Sequence, residues 1–81
     1  MPVADTSRLT AALDQALAEI MGPLGAARIY LDVAHDVPRG SLPRAQAILA
    51  WLAANRPAAA GKVLERARSH YRSMRAAAAA A

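Results

Sequence analysis

Apolar residues recur at helical spacing in four segments of this 81-residue chain, and glycine or proline separates the segments. The first segment covers about residues 7–21. Its apolar face consists of Leu9, Leu13, Leu17, Ile20 and Met21. This pattern predicts an amphipathic helix that is capped by Thr6 or Ser7 and that ends at Gly22 and Pro23, because glycine adopts a left-handed conformation and proline cannot continue the helix.

The second segment, residues 24–37, is compatible with a strand or a helix. Alternation with period 2 groups most of its large apolar residues, but it places His35 among them and Tyr30 on the opposite face. A period of 3.6 instead gathers the polar residues in one stripe. That stripe consists of Arg28, Asp32, His35 and Asp36. Since only the helical period leaves no misplaced residue, we predict a helix.

The third segment is predicted to be a helix over Leu42–Asn55, with residues 38–41 as the preceding turn and Ser41 as its N-cap. One face carries leucine and isoleucine. The opposite face is covered by Ala47, Ala50, Ala53 and Ala54 rather than by polar residues. A helix that is apolar nearly all round is typically buried on two sides, so this helix is expected to be central or to form half of an interface.

The fourth segment follows a break at Asn55-Arg56-Pro57 and is predicted to be a helix over residues 58–75. Its core-facing stripe consists of Val63, Leu64, Ala67, Tyr71 and Met74. Basic residues occupy most of the remaining surface. The alanines at 76–81 are a native extension, a linker or stand-ins for unidentified residues; in each case the high helix propensity of alanine predicts that they extend the helix.

Together, these segments predict an all-α fold: a compact bundle of four short amphipathic helices without a sheet, in a single domain over residues 1–75. The hydrophobic fraction of 56% overstates the core, because 23 of those residues are alanine and phenylalanine is absent. A chain this short is marginally stable by itself. We therefore expect it to oligomerise or to bind a larger partner.

Charge is sorted along the chain. Residues 1–38 carry two bases and five acids, a net charge of −3, whereas residues 39–81 carry eight bases and one acid, a net charge of +7. A basic half of this kind binds phosphate, an acidic protein surface or the acidic half of its own chain. A fourth helix lying beside Asp32 and Asp36 of the second helix would neutralise part of the excess.

Neither a secretory signal nor a membrane span is visible in the sequence. The first ten residues lack a basic start followed by an apolar run. The longest apolar run, residues 47–54, is far shorter than the roughly 20 residues that cross a bilayer. We expect a cytoplasmic protein without membrane association.

Candidate catalytic and metal-binding residues are few. The absence of cysteine excludes disulfides, thiolate metal sites and cysteine nucleophiles. Asp32, His35 and Asp36 share one predicted face, but a metal needs three or four converging ligands, and His70 lies on a basic helix that repels cations. A solvated face is the favoured interpretation. The serines have no His–acid pair arranged around them. We predict no enzyme, cofactor, metal or small-molecule substrate.

The basic face of the fourth helix is the main candidate for binding. It consists of Lys62, Arg66, Arg68, Arg72 and Arg75. Arginine binds phosphate or carboxylate through paired hydrogen bonds, although the same residues also suit a face that is merely solvated. A DNA-reading helix-turn-helix over the third and fourth helices is weakly indicated, because the turn lacks glycine.

The third helix supplies a second candidate surface. Trp51 lies at the margin of its apolar stripe, where it either packs in the core or anchors an interface. Ala47, Ala50 and Ala54 would let another helix approach closely. We predict a protein–protein interaction module that docks on a partner or on a second copy through this alanine-rich helix and the basic helix. The alternative is a nucleic-acid-binding protein that uses residues 62–75.

The run LAEIMGPLGA, residues 17–26, resembles small helical domains of unknown function at the C-termini of some bacterial regulatory proteins. In those domains a leucine-rich helix ends in Gly-Pro-apolar before a second helix. Gly25 departs from the pattern, because a residue of better helix propensity is expected there. The resemblance implies only an interaction module and supplies no catalytic residues. From the two candidate surfaces we expect an adaptor, accessory or assembly subunit of a larger bacterial complex.

Overall fold

A computed structural model describes residues 3–38 and 40–80 of the chain. These residues form four α-helices and no strand. The helices are α1 (Val3–Met21), α2 (Pro23–Ala34), α3 (Leu42–Asn55) and α4 (Pro57–Ala80). The predicted all-α bundle of four helices is confirmed.

The helix boundaries between segments follow from single residues. Gly22 separates α1 from α2 with φ 81° and ψ 157°, and Pro23 occupies the first turn of α2. The predicted left-handed helical conformation of Gly22 is wrong: its φ is positive, but its ψ is extended. The predicted N-cap of α3 is also confirmed, because the Ser41 hydroxyl accepts a hydrogen bond from the Arg44 amide at 3.3 Å. Arg56 alone connects α3 to α4.

The predicted start of the first helix is wrong. The helix begins at Val3 instead of Ser7, so neither Thr6 nor Ser7 is its N-cap. Asp5 lies in the first turn, where a carboxylate is favoured by the helix dipole, and it forms an ion pair with Arg8 at 3.1 Å. Asp5 therefore stabilises a first helical turn that lies before the predicted cap at Thr6 or Ser7.

The predicted end of the second helix is also wrong. The helix stops at Ala34 and is followed by a turn, in which the Val37 amide donates to the Ala34 carbonyl at 3.1 Å. Pro38 prevents the helix from continuing, because it has no amide hydrogen to bond the Ala34 carbonyl and it disfavours helical conformation at Val37. His35 is the C-cap and still has helical angles, φ −61° and ψ −29°, so it lies at the end of the predicted polar stripe, and Asp36 lies in the following turn. Of the turn predicted at 38–41, Arg39 lies outside the described residues, and Gly40 has φ 73°.

Helices α1 and α3 each contact all three other helices, and the most extensive packing in the bundle is between α1 and α4. The central position that one interpretation of the sequence gave to α3 agrees with these contacts. Glu19, late in α1, pairs with Arg66, whereas Leu9, early in α1, shares a groove with Tyr71. The two helices are therefore antiparallel.

Within the described part of the chain, α4 packs on α1 and α3 and makes no contact with α2. The suggested pairing of the fourth helix with Asp32 and Asp36 is therefore wrong. Instead, Asp32 pairs with Arg28 of its own helix at 3.5 Å, with both side chains largely exposed.

Alanine contributes more to the core than the composition suggested. The buried cluster joins residues of all four helices: Leu13, Ala16, Leu17, Ala26, Ile29, Ala34, Ile48, Leu52, Val63 and Ala67. Four of these ten residues are alanine, which adds little apolar area but lets helix axes approach closely. The large side chains that are fully buried are Leu17, Ile48, Leu52 and Val63.

The C-terminal alanines continue α4 as far as Ala80, as predicted, and Ala81 lies outside the described residues. Their side chains are exposed. Among the described residues, no helix has the length and apolar character that a membrane crossing requires.

Substitutions at two glycines test whether the backbone conformation of Gly22 requires glycine. We expect Gly22→Ala to lower the free energy of unfolding by about 1–3 kcal/mol, because the conformation of Gly22 is strained for any residue with a Cβ. We expect Gly61→Ala to raise it by about 0.5–1 kcal/mol, since Gly61 lies inside α4 and an added Cβ would meet no atom within 4 Å. Urea unfolding followed by circular dichroism measures both, and equal effects of the two variants would contradict this account of Gly22.

Candidate functional site

The five basic residues of α4 do not form one surface. A helix turns by about 100° per residue, so Lys62 and Arg66 lie on one flank of α4, while Arg68, Arg72 and Arg75 lie on the other. Glu65 and Ser69 fall between the two flanks. An acidic side chain therefore interrupts the basic face that the sequence predicted as a unit.

The flank formed by Lys62 and Arg66 lies beside the end of α1. There Glu19 accepts contacts from two residues of α4: Arg66 Nε lies 3.6 Å from one carboxylate oxygen, and His70 Nε2 contacts the other. The three side chains are partly exposed. This flank is thus partly neutralised inside the molecule, by the acidic half of the chain.

The flank formed by Arg68, Arg72 and Arg75, hereafter the arginine flank, has no such partner. Among the residues that the structure describes, none of the three arginines forms an ion pair. Arg72 donates from Nε to the Arg68 carbonyl at 3.4 Å, and the Arg75 guanidinium lies 5.8 Å from the centre of the Tyr71 ring. All three side chains are exposed, so their charge is available to a partner.

An apolar groove runs beside the arginine flank, where α1, α3 and α4 meet. It encloses about 170 Å³. Its lining consists of Leu9, Leu13, Leu42, Ala45, Leu49, Leu64, Ala67, Tyr71 and Arg68. Leu42 and Leu64 stand at the edges of the groove with exposed fractions of 38% and 37%. The sequence assigned both leucines to the core, and it gave no sign that three helices leave a gap between them.

The alanine-rich face of α3 has no covering element in the described structure. Ala50 and Ala54 are exposed, and Ala47 is half-buried. Trp51 is also half-buried and packs against the core, where it lines a surface pocket with Arg28 and Arg56. The expectation that this helix is buried on two sides is wrong for the single chain, and the alternative, that it forms half of an interface, stays a prediction.

A polar cluster that the sequence did not indicate ties α1, α2 and α3 together. The Tyr30 hydroxyl donates to the Asp14 carboxylate, and the Arg44 guanidinium lies over the Tyr30 ring at 4.3 Å. Arg44 Nε is buried without a hydrogen-bond partner in the described structure. The spacing of single residues on separate helices could not show this contact, which arises only when the three helices pack.

The candidate metal ligands do not converge. His35 and Asp36 lie in the exposed turn after α2, while Asp32 is engaged with Arg28 on the helix surface. Over residues 3–38 and 40–80, no group of three or more acidic or histidine side chains is placed to hold a metal ion.

Comparison of this chain with protein-family models, with curated proteins and with solved structures finds no match.

A substitution at Glu19 tests whether its carboxylate stabilises the fold by neutralising positive charge on α4. We expect Glu19→Gln to lower the free energy of unfolding by up to about 1 kcal/mol, because Arg66 and His70 lose their shared partner at a partly exposed site. The loss should shrink at high salt, which screens such pairs. Asp36→Asn is the matched control, since Asp36 is exposed and forms no ion pair within the described residues. Urea unfolding at two salt concentrations measures both variants, and equal losses would contradict a specific role for Glu19.

Proposed function

We propose that this chain is a small non-catalytic protein–protein interaction module that serves as an adaptor or accessory subunit of a larger bacterial complex. One observation carries the proposal: Arg68, Arg72 and Arg75 form an exposed flank without acidic partners in the described structure, and this flank borders apolar rather than polar surface. Protein interfaces combine these elements, since arginine and aromatic residues are enriched there and apolar contacts fill the centre.

The arrangement of the bases favours a protein partner over nucleic acid. A helix that follows a phosphate backbone uses basic residues spread along a continuous surface. Here Glu65 lies between the two basic flanks, and Arg66 is already paired with Glu19. Leu64 and Tyr71, which lie next to the arginine flank, offer contacts that suit protein side chains.

The alanine-rich face of α3 is proposed as a second docking surface. Ala47, Ala50 and Ala54 present small side chains on an uncovered helix, which allows close approach of a partner helix or of a second copy of the chain. Trp51 flanks this face and could anchor the contact through its exposed part. The two surfaces lie on different helices, so a module of this kind could bridge two components.

Affinity capture from cells that carry the gene tests the proposal. We expect a protein partner to be captured by the wild-type chain and lost with the triple variant Arg68→Gln, Arg72→Gln and Arg75→Gln. The matched control removes the same charge elsewhere, with Arg8→Gln, Lys62→Gln and Arg66→Gln, and should keep the partner. Circular dichroism confirms that both variants are folded. Equal capture by the two triple variants would contradict docking through the arginine flank.

A further arm of the same experiment concerns α3. The variant Ala50→Glu places a charged side chain on the exposed face and should release any protein that docks there, or dissociate a homodimer. The mass of the wild-type chain in solution at micromolar concentration distinguishes these cases. A monomer that loses no partner on this substitution would remove α3 from the proposal.

Nucleic-acid binding is the second candidate, because three unpaired arginines spaced by four and three residues follow one flank of a helix. It requires affinity for DNA that falls steeply with salt, by about 0.9 in the logarithmic slope for each phosphate neutralised. The arginine triple variant should then lower that slope by roughly three. Titration against duplex and single-stranded DNA at two salt concentrations measures this slope, and absence of binding at low salt would eliminate the candidate.

A further inference from the structure

We infer that the groove between α1, α3 and α4 receives an amphipathic helix of a partner protein, with the apolar stripe of that helix in the groove and acidic side chains along the arginine flank. This inference rests on the proposed function and names the chemistry of its partner. Its basis is the juxtaposition of an apolar groove with uncompensated positive charge on one side.

The groove has the shape and lining of a site for apolar side chains. Of its nine lining residues, only Arg68 is charged. Leu42 of α3 and Leu64 of α4 both line the groove, and each leaves more than a third of its surface in solvent. Covering these leucines with an apolar stripe would remove apolar surface from water, which is the main driving force for helices that bind in grooves.

The arginine flank supplies charge complementarity at helical spacing. On α4, Leu64 and Tyr71 are seven residues apart and line the groove, while Arg68 and Arg75 are seven residues apart on the neighbouring row. Seven residues rise by about 10.5 Å along a helix. A partner helix with leucines and glutamates in two adjacent rows at the same spacing would match both rows at once.

The same charges argue against other occupants of the groove. A second copy seated groove to groove by two-fold symmetry would place each arginine flank against the opposite side of the partner's groove, because residue i meets residue j and j meets i in such an interface. The lining of that groove contains no acidic residue to pair with the arginines. A nucleic acid would match the arginines but would leave Leu42 and Leu64 uncovered.

A set of synthetic peptides tests the inference by fluorescence anisotropy. The probe is a side-chain-stapled helix of about 15 residues, which is near the length at which isolated helices are marginal in water. It carries a leucine stripe and a row of glutamates beside it. One comparison peptide replaces the glutamates with lysine, and another replaces the leucines with serine. We expect only the acidic, leucine-striped peptide to bind.

Variants of the protein locate the site. Leu64→Gln and, independently, Leu42→Gln should each weaken binding of the acidic peptide by about tenfold, an effect that corresponds to about 1.4 kcal/mol. The matched control is Leu31→Gln on α2, where Leu31 is 69% exposed and lies outside the groove. Circular dichroism verifies that each variant is folded.

A charge-reversal arm provides a readout that a folding defect cannot give. The double variant Arg68→Glu and Arg72→Glu should lose the acidic peptide and gain affinity for the lysine peptide. Arg28→Glu, on the outer face of α2, is the control and should change neither affinity.

Each remaining outcome counts against the inference. Binding of the serine peptide as tightly as the leucine peptide would show that charge alone acts, and dimerisation that depends on Leu64 would place a second copy in the groove. Displacement of the peptide by duplex DNA, with DNA affinity that also depends on Leu64, would assign the groove to nucleic acid. If no peptide binds while the arginine-dependent partner is still captured from cells, the groove inference fails and the proposed function stands.

Discussion

The antiparallel packing of α1 against α4 is the contact on which the rest of the structure depends. Helices α1 and α3 each touch all the others, and the most extensive contact in the bundle is between α1 and α4. Alanines such as Ala16 and Ala67 are buried among the larger core side chains and allow the helices to lie close together. Helices α2 and α4 each pack on α1 and α3 and not on each other, so Asp32 of α2 does not meet the basic residues of α4.

The absence of contact between α2 and α4 determines which basic residues of α4 have an acidic partner and which do not. Among the ion pairs of residues 3–38 and 40–80, those that link the acidic half of the chain to α4 run through Glu19, which engages Arg66 and His70 on a single flank. On the opposite flank, the three arginines form no ion pair in the described structure. The charge sorting visible in the sequence is thus converted by topology into a local excess beside an apolar groove.

The sequence predicted the number, type and approximate extent of the helices because helical periodicity and Gly/Pro punctuation are local signals. It misplaced the start of α1 and the end of α2, where Asp5 and Pro38 act on the neighbouring turns. It also named the five basic residues of α4, but it treated them as one face, although helical periodicity alone divides them into two flanks. Which flank is neutralised depends on Glu19 of another helix, and the groove and the Asp14–Tyr30–Arg44 cluster likewise exist only after packing.

The single-residue connections at Gly22 and Arg56 divide the chain into two helical hairpins, joined by the longer segment 35–41. Such short links cost little loop-closure entropy, so each hairpin is held together locally. Neither hairpin contains a complete core, however, because Leu17 belongs to one, and Leu52 and Val63 belong to the other. The hairpins are therefore mutually dependent, and the domain gains or loses its structure as one cooperative unit, despite being built from local pieces.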